Sequence, residues 1–169
     1  MRLHLPSTVG ALALCLASSY AYAQKENEIA QSEQEGRNAY FQKEYSLACQ
    51  QPLTTLNPLA ATLDEAAQQE VTLEGGLGYR AQLNSQGEGY LQLAITEWNE
   101  KLVIFHHADL ILDLPGADVT GSRIKNFQCP EQEKLLTHFN THEWGSYTLK
   151  LVGKPDQKIE FSIVKEVKR

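Results

Sequence analysis

Apolar side chains recur at every second position through much of Gly89–Leu114, GYLQLAITEWNEKLVIFHHADLILDL. Leu91, Leu93 and Ile95 alternate with Gln92, Ala94 and Thr96, and Leu110, Leu112 and Leu114 alternate with Asp109, Ile111 and Asp113. A period of two is the mark of a strand with one face buried. Between these runs lies Leu102-Val103-Ile104-Phe105, set off by Asn99-Glu100. Three successive strands are expected, with connections too short for a parallel crossover, so neighbours should pair antiparallel.

The same alternation appears at Tyr79, Ala81 and Leu83, and again near the C-terminus. There Tyr147, Leu149 and Leu151 precede a Gly153-Lys154-Pro155-Asp156 turn, and Ile159, Phe161 and Ile163 follow it. This pattern predicts a terminal hairpin. Six or seven short strands with polar outer faces need a second layer to bury their apolar sides. The expected fold is therefore mainly β, an antiparallel β-sandwich (immunoglobulin-like or jelly-roll-like) with short N-terminal helices. A small β-barrel is the alternative.

Ahead of the strands the pattern changes. Tyr40, Phe41, Tyr45 and Ala48 fall near one helical face, and Thr62-Leu63-Asp64-Glu65 has the form of a capping box, so two short helices are expected. The expected organisation is a leader over 1–23, a polar arm with short helices over 24–72 and an antiparallel β domain over 73–169. Between the β runs, Arg123 should enter a short strand through Ile124. Pro130, Glu131 and Glu133 then resemble the first turn of a helix that would bury Leu135, Leu136 and Phe139.

Residues 1–23 read as a secretion signal: Arg2 and His4, an apolar run Val9–Leu16, and Ala21-Tyr22-Ala23 before the expected cleavage point. Leu14 ahead of Cys15 does not suit lipoprotein processing. The expected address is the periplasm of a Gram-negative bacterium, or secretion, after cleavage near Ala23. Loss of Arg2 leaves 14 Lys plus Arg against 21 Asp plus Glu, a net charge of −7. An acidic chain without a basic stripe argues against nucleic acid and anionic membrane surfaces as partners, and no later segment is apolar enough to span a membrane. Two cysteines remain, Cys49 and Cys129, in a compartment where disulfides persist. A Cys49–Cys129 bridge is expected, with free thiols or an intermolecular bridge as alternatives.

Chemistry is harder to find. There is no G-x-S-x-G elbow, no H-E-x-x-H helix and no glycine-rich phosphate loop ahead of a helix, so no catalytic residue is assigned and no enzyme activity is expected. Four histidines form two close pairs, His106-His107 and His138 with His142. If 138–142 were helical, His138 and His142 would share a face, and His107 and Asp109 would share a strand face. These four are the candidate ligands for Zn²⁺ or Cu²⁺, weighed against polar residues at strand ends. Trp98 and Trp144, each beside a strand end, are the candidate binding residues, weighed against lids on the sandwich core. The expected function is a secreted, non-enzymatic binding or accessory protein with a protein or peptide partner, an inhibitor of an envelope enzyme being one such role. A basic partner would suit its acidity. A Zn- or Cu-binding periplasmic protein is the alternative.

Overall fold

The computed structural model describes residues 30–56, 59–129 and 134–168, and residues 38–169 form one compact unit. Residues 30–40 are helical. After them come α1 (Gln42–Gln50), β1 (Leu53–Thr55), α2 (Leu63–Ala66), β2 (Glu70–Thr72), β3 (Leu77–Gln82), β4 (Glu88–Ile95) and β5 (Lys101–His107). The chain continues with β6 (Ile111–Asp113), β7 (Ala117–Lys125), β8 (Lys134–Thr141), β9 (Gly145–Val152) and β10 (Lys158–Lys165). The strands form a six-stranded sheet, β1-β3-β10-β5-β8-β7, and a four-stranded sheet, β2-β4-β9-β6. Both sheets keep free edges, so the architecture is a β-sandwich and not a closed barrel. Among the described residues no helix is long and apolar enough to cross a membrane.

Burial along the strands follows their surroundings. The β4 residues alternate between buried and half-buried because only one face of the four-stranded sheet meets the core. Leu102 to His106 of β5 are buried without interruption. One side of that strand faces the inter-sheet core, where Leu102 and Ile104 join Leu93, Leu149 and Phe161. Its other side, with Val103 and Phe105, lies under Tyr45 and Ala48 of α1. A strand covered on both faces loses its polar alternation, which is why 102–105 is an unbroken apolar run.

Helix α1 is fastened to this outer face. The Cys49–Cys129 disulfide closes it, with Cα atoms 6.1 Å apart. Ser162 Oγ donates to the Ala48 carbonyl at 2.7 Å, and Asn126 Nδ2 donates to the Tyr45 carbonyl at 3.0 Å. Tyr40, expected on the buried face, is instead exposed. The Thr62 capping box forms as expected: Thr62 Oγ1 accepts from the Glu65 N–H, and Glu65 Oε2 accepts from the Ala61 N–H. The helix it starts spans only Leu63–Ala66.

Several expectations about connectivity are corrected. The strands β4, β5 and β6 are not neighbours, because β5 lies in the six-stranded sheet and the other two in the four-stranded sheet. The terminal hairpin is not one either: β9 pairs with β4 and β6, while β10 pairs with β3 and β5. These connections arch from one sheet to the other. Crossing about 10 Å between stacked sheets takes only three or four extended residues, so a short loop does not distinguish an arch from a hairpin. Asn99 and Asp156, with φ of 51° and 56°, take the left-handed conformation inside two of these arches.

The expected helix after Cys129 is a strand. Residues 134–141 form β8, antiparallel to β5 and to β7, while Pro130, Glu131 and Glu133 lie outside the described residues. The segments 53–55 and 70–72, placed in the polar arm by sequence, are edge strands that run parallel to β3 and β4.

Buried His106 supplies a pH dependence. Its ring nitrogens contact the His107 carbonyl at 2.8 Å and Thr137 Oγ1 at 2.9 Å. Burial holds its pKa below the ordinary histidine value. The unfolded chain therefore binds the proton more readily, and the histidine's contribution to stability, full above about pH 6.5, is lost as pH falls through the lowered folded value. Urea midpoints at pH 7.5 and 5 should show a smaller acid loss in His106→Gln than in the parent. An equal loss would remove His106 from the account.

Candidate functional site

One end of the sandwich gathers the features able to engage a ligand. Strand β4 stops at Ile95, and residues 96–100 arch across to β5. Residues 142–144 link β8 to β9 beside them, and the Asn99 N–H meets the His142 carbonyl at 3.5 Å. Each loop carries the dipeptide Glu-Trp: Glu97-Trp98 in one and Glu143-Trp144 in the other. Trp98 is 60% exposed and Trp144 64% exposed, so neither serves as a lid on the core.

The tail after β10 turns into the same end. The Glu166 N–H donates to the Lys101 carbonyl at 2.8 Å, and the Val167 N–H donates to Glu44 Oε1 at 2.9 Å. Lys168 pairs with Glu97 and holds that carboxyl below the usual carboxylate range. Tail, arch and the two residues just ahead of α1 border a cavity of about 420 Å³ walled by Tyr40, Phe41, Val167, Glu97, Glu100 and Lys165.

Glu100 is 4% exposed at the end of the inter-sheet core. Lys165 Nζ lies 3.1 Å from its Oε2, an ion-pair distance at an angle outside hydrogen-bond geometry. Among the described residues Oε1 has no hydrogen-bond partner. A buried carboxylate ordinarily accepts several hydrogen bonds, so Glu100 retains unused acceptor capacity.

The four candidate metal ligands do not come together. His138 lies on β8 and not on a helix; its Nδ1 sits 2.7 Å from Glu166 Oε1, and its Nε2 2.8 Å from the Tyr45 hydroxyl. His142 Nε2 contacts Asp118 Oδ2 at 2.9 Å on the surface. Asp109 accepts from Gln157 Nε2 at 3.0 Å, and His107 stands opposite Lys134. His107 closes β5 at the far end of the sandwich, roughly 20 Å of extended chain from Lys101, which begins that strand at the tryptophan end. Among the described residues no group of three or more His, Cys, Asp or Glu is placed to hold a metal ion.

The Glu166–His138–Tyr45 chain has the connectivity of a carboxylate, an imidazole and a hydroxyl nucleophile. Tyr45 is fully buried and His138 nearly so, which keeps substrate from the hydroxyl. The chain joins α1, β8 and the tail across sequence separations of 93 and 28 residues. Sequence reasoning missed both this relay and the cavity. Its available signal for the tryptophan end was the repeated Glu-Trp pair. No protein-family model and no curated protein sequence matches the chain.

Proposed function

We propose that the protein is a secreted, non-enzymatic binding or accessory protein that captures a basic protein or peptide through the end bearing Trp98 and Trp144. The carrying observation is that both tryptophans face solvent on loops joined by the Asn99–His142 hydrogen bond, each with a glutamate beside it. Large aromatic side chains dominate binding energy when a partner desolvates them, and their ring faces also attract cations. The net charge of −7 left after removal of residues 1–23 favours encounter with a basic partner. Secretion is supported by the basic start, apolar run and Ala21-Tyr22-Ala23 of the leader, a segment outside the described residues. The Cys49–Cys129 bridge is compatible with it. An envelope enzyme under inhibition is one partner this surface would suit.

A random peptide library panned on the immobilised protein tests the reading. Lys- and Arg-rich sequences are expected to be enriched, and Trp144→Ala should weaken the selected peptides by about 2 kcal/mol, roughly thirtyfold. Enrichment of neutral or acidic peptides, or binding indifferent to both Trp98→Ala and Trp144→Ala, would overturn it.

A further inference from the structure

We propose that the cavity beside the β4–β5 arch binds an organic cation, a ligand carrying a primary ammonium or guanidinium group, on the Glu100 carboxylate. The bound cation takes the position now filled by the Lys165 ammonium. This site needs neither tryptophan and is separate from the surface proposed above.

The sign of the ligand follows from what the cavity lacks. Its carboxylates are met from within the chain: Lys168 on Glu97, His138 on Glu166 and Lys165 on Glu100. The last pairing is the incomplete one. Glu100 is more than nine-tenths buried, yet among the described residues Oε1 has no hydrogen-bond donor and Oε2 has only the off-axis Lys165. An orphaned acceptor asks for a donor, and one beside a negative charge asks for a cationic donor. An anion would meet a buried carboxylate at close range and be repelled.

Lys165 is the internal stand-in for that ligand. Its side chain is about a third exposed, and among the described residues its ammonium also donates to Thr96 Oγ1 at 3.5 Å. It can therefore return its ammonium to water when a better-shaped cation arrives, with little lost beyond the exchanged ion pair. A guanidinium, with a planar fork of donors, can bond both Glu100 oxygens where the lysine bonds neither. Tyr40 and Phe41 line the same cavity, their rings edge to face with centroids 4.8 Å apart, and supply an aromatic wall against which a cation is stabilised. The volume, about 420 Å³, suits a small amine or one basic side chain of a larger partner.

Agmatine titrated at pH 8, followed by amide chemical shifts and calorimetry, tests the site. Saturable shifts around Tyr40, Glu100 and Val167 are expected, with Kd below about 1 mM. Lys165→Met should tighten agmatine at least tenfold, because it removes the internal competitor. Glu100→Gln should abolish saturation. If Glu100→Gln does not fold, Lys165→Met decides alone, since a merely structural lysine would give unchanged or weaker binding. A second arm uses N-acetyl-Gly-Arg-Gly-amide. Binding of this peptide identifies a partner's side chain as the source of the cation, and binding of agmatine alone identifies a free amine. Agmatine binding that survives Trp144→Ala separates this site from the tryptophan surface, so either reading can fail without the other. No saturation up to about 10 mM in both parent and Lys165→Met, or binding indifferent to Glu100→Gln, would overturn the proposal.

Discussion

Removal of the Cys49–Cys129 bridge, by Cys129→Ala or by dithiothreitol, is expected to cost about 4 kcal/mol of unfolding free energy. The two residues are 80 apart in sequence, so the bridge closes a long loop and removes many conformations from the unfolded chain. The folded state also changes where the bridge is lost. Helix α1 covers Val103, Phe105, Leu136 and Val164 on the outer face of the six-stranded sheet, and the bridge holds the last turn of that helix. Scanning calorimetry should show the melting temperature lowered by roughly 10–20 °C. Hydrogen exchange should quicken first in the amides of α1, ahead of those in β4 and β9. Cys49→Ala and Cys129→Ala should fall together with the reduced parent. A shift of less than about 2 °C would mean that the side-chain contacts of Asn126 and Ser162 hold the helix without sulfur.

The two-layer architecture was legible because alternation reports directly on one-sided burial, as in β4. Which strands pair was not, because alternation says that a face is buried and does not say in which sheet. The β9–β10 connection, Gly153 to Gln157, carries turn residues that serve a hairpin or an arch equally well. The β8 error has a different origin. In that strand Leu136 and His138 face α1, while Phe139 faces the inter-sheet core. With both faces buried, apolar residues at 135, 136 and 139 imitate helical spacing, and Pro130 with its acidic neighbours strengthened the imitation.

The candidate site was legible only in part. Trp98 and Trp144 could be assigned to strand ends, since Trp98 follows the alternating run 91–96 and Trp144 precedes the one that starts at Tyr147. That both strand ends lie at the same end of the sandwich depends on β4 pairing with β9 and β5 with β8, which is non-local information. The buried relay is hidden for the same reason: His138 is polar on a covered face, and its partners Tyr45 and Glu166 are brought to it only by the fold. Glu100 looked like half of an Asn-Glu turn. It is instead a buried acid beneath Lys165, a residue 65 positions further along the chain at the end of β10.

Phe161→Ala is expected to cost about 3–5 kcal/mol, the range for deleting a fully buried aromatic ring. The strand that carries it, β10, lies inside the six-stranded sheet between β3 and β5, and Phe161 points into the inter-sheet core with 1% exposure. Its ring lies 5.4 Å, centroid to centroid, from that of Tyr79 on β3. Both flanking strands are pinned by backbone pairing, His106 on one side and Tyr79 on the other, so the space left by the ring cannot close by backbone movement. That rigidity places the cost toward the upper end of the range. Phe161→Leu retains most of the volume and should cost less than half as much. Phe127→Ala, at a ring 46% exposed, should cost under about 0.5 kcal/mol. Urea midpoints of the three variants at constant m-value measure these differences. A Phe161→Ala cost below about 1 kcal/mol would place that face of β10 in solvent, and the β9–β10 arch would then have to be redrawn as the hairpin that the sequence suggests.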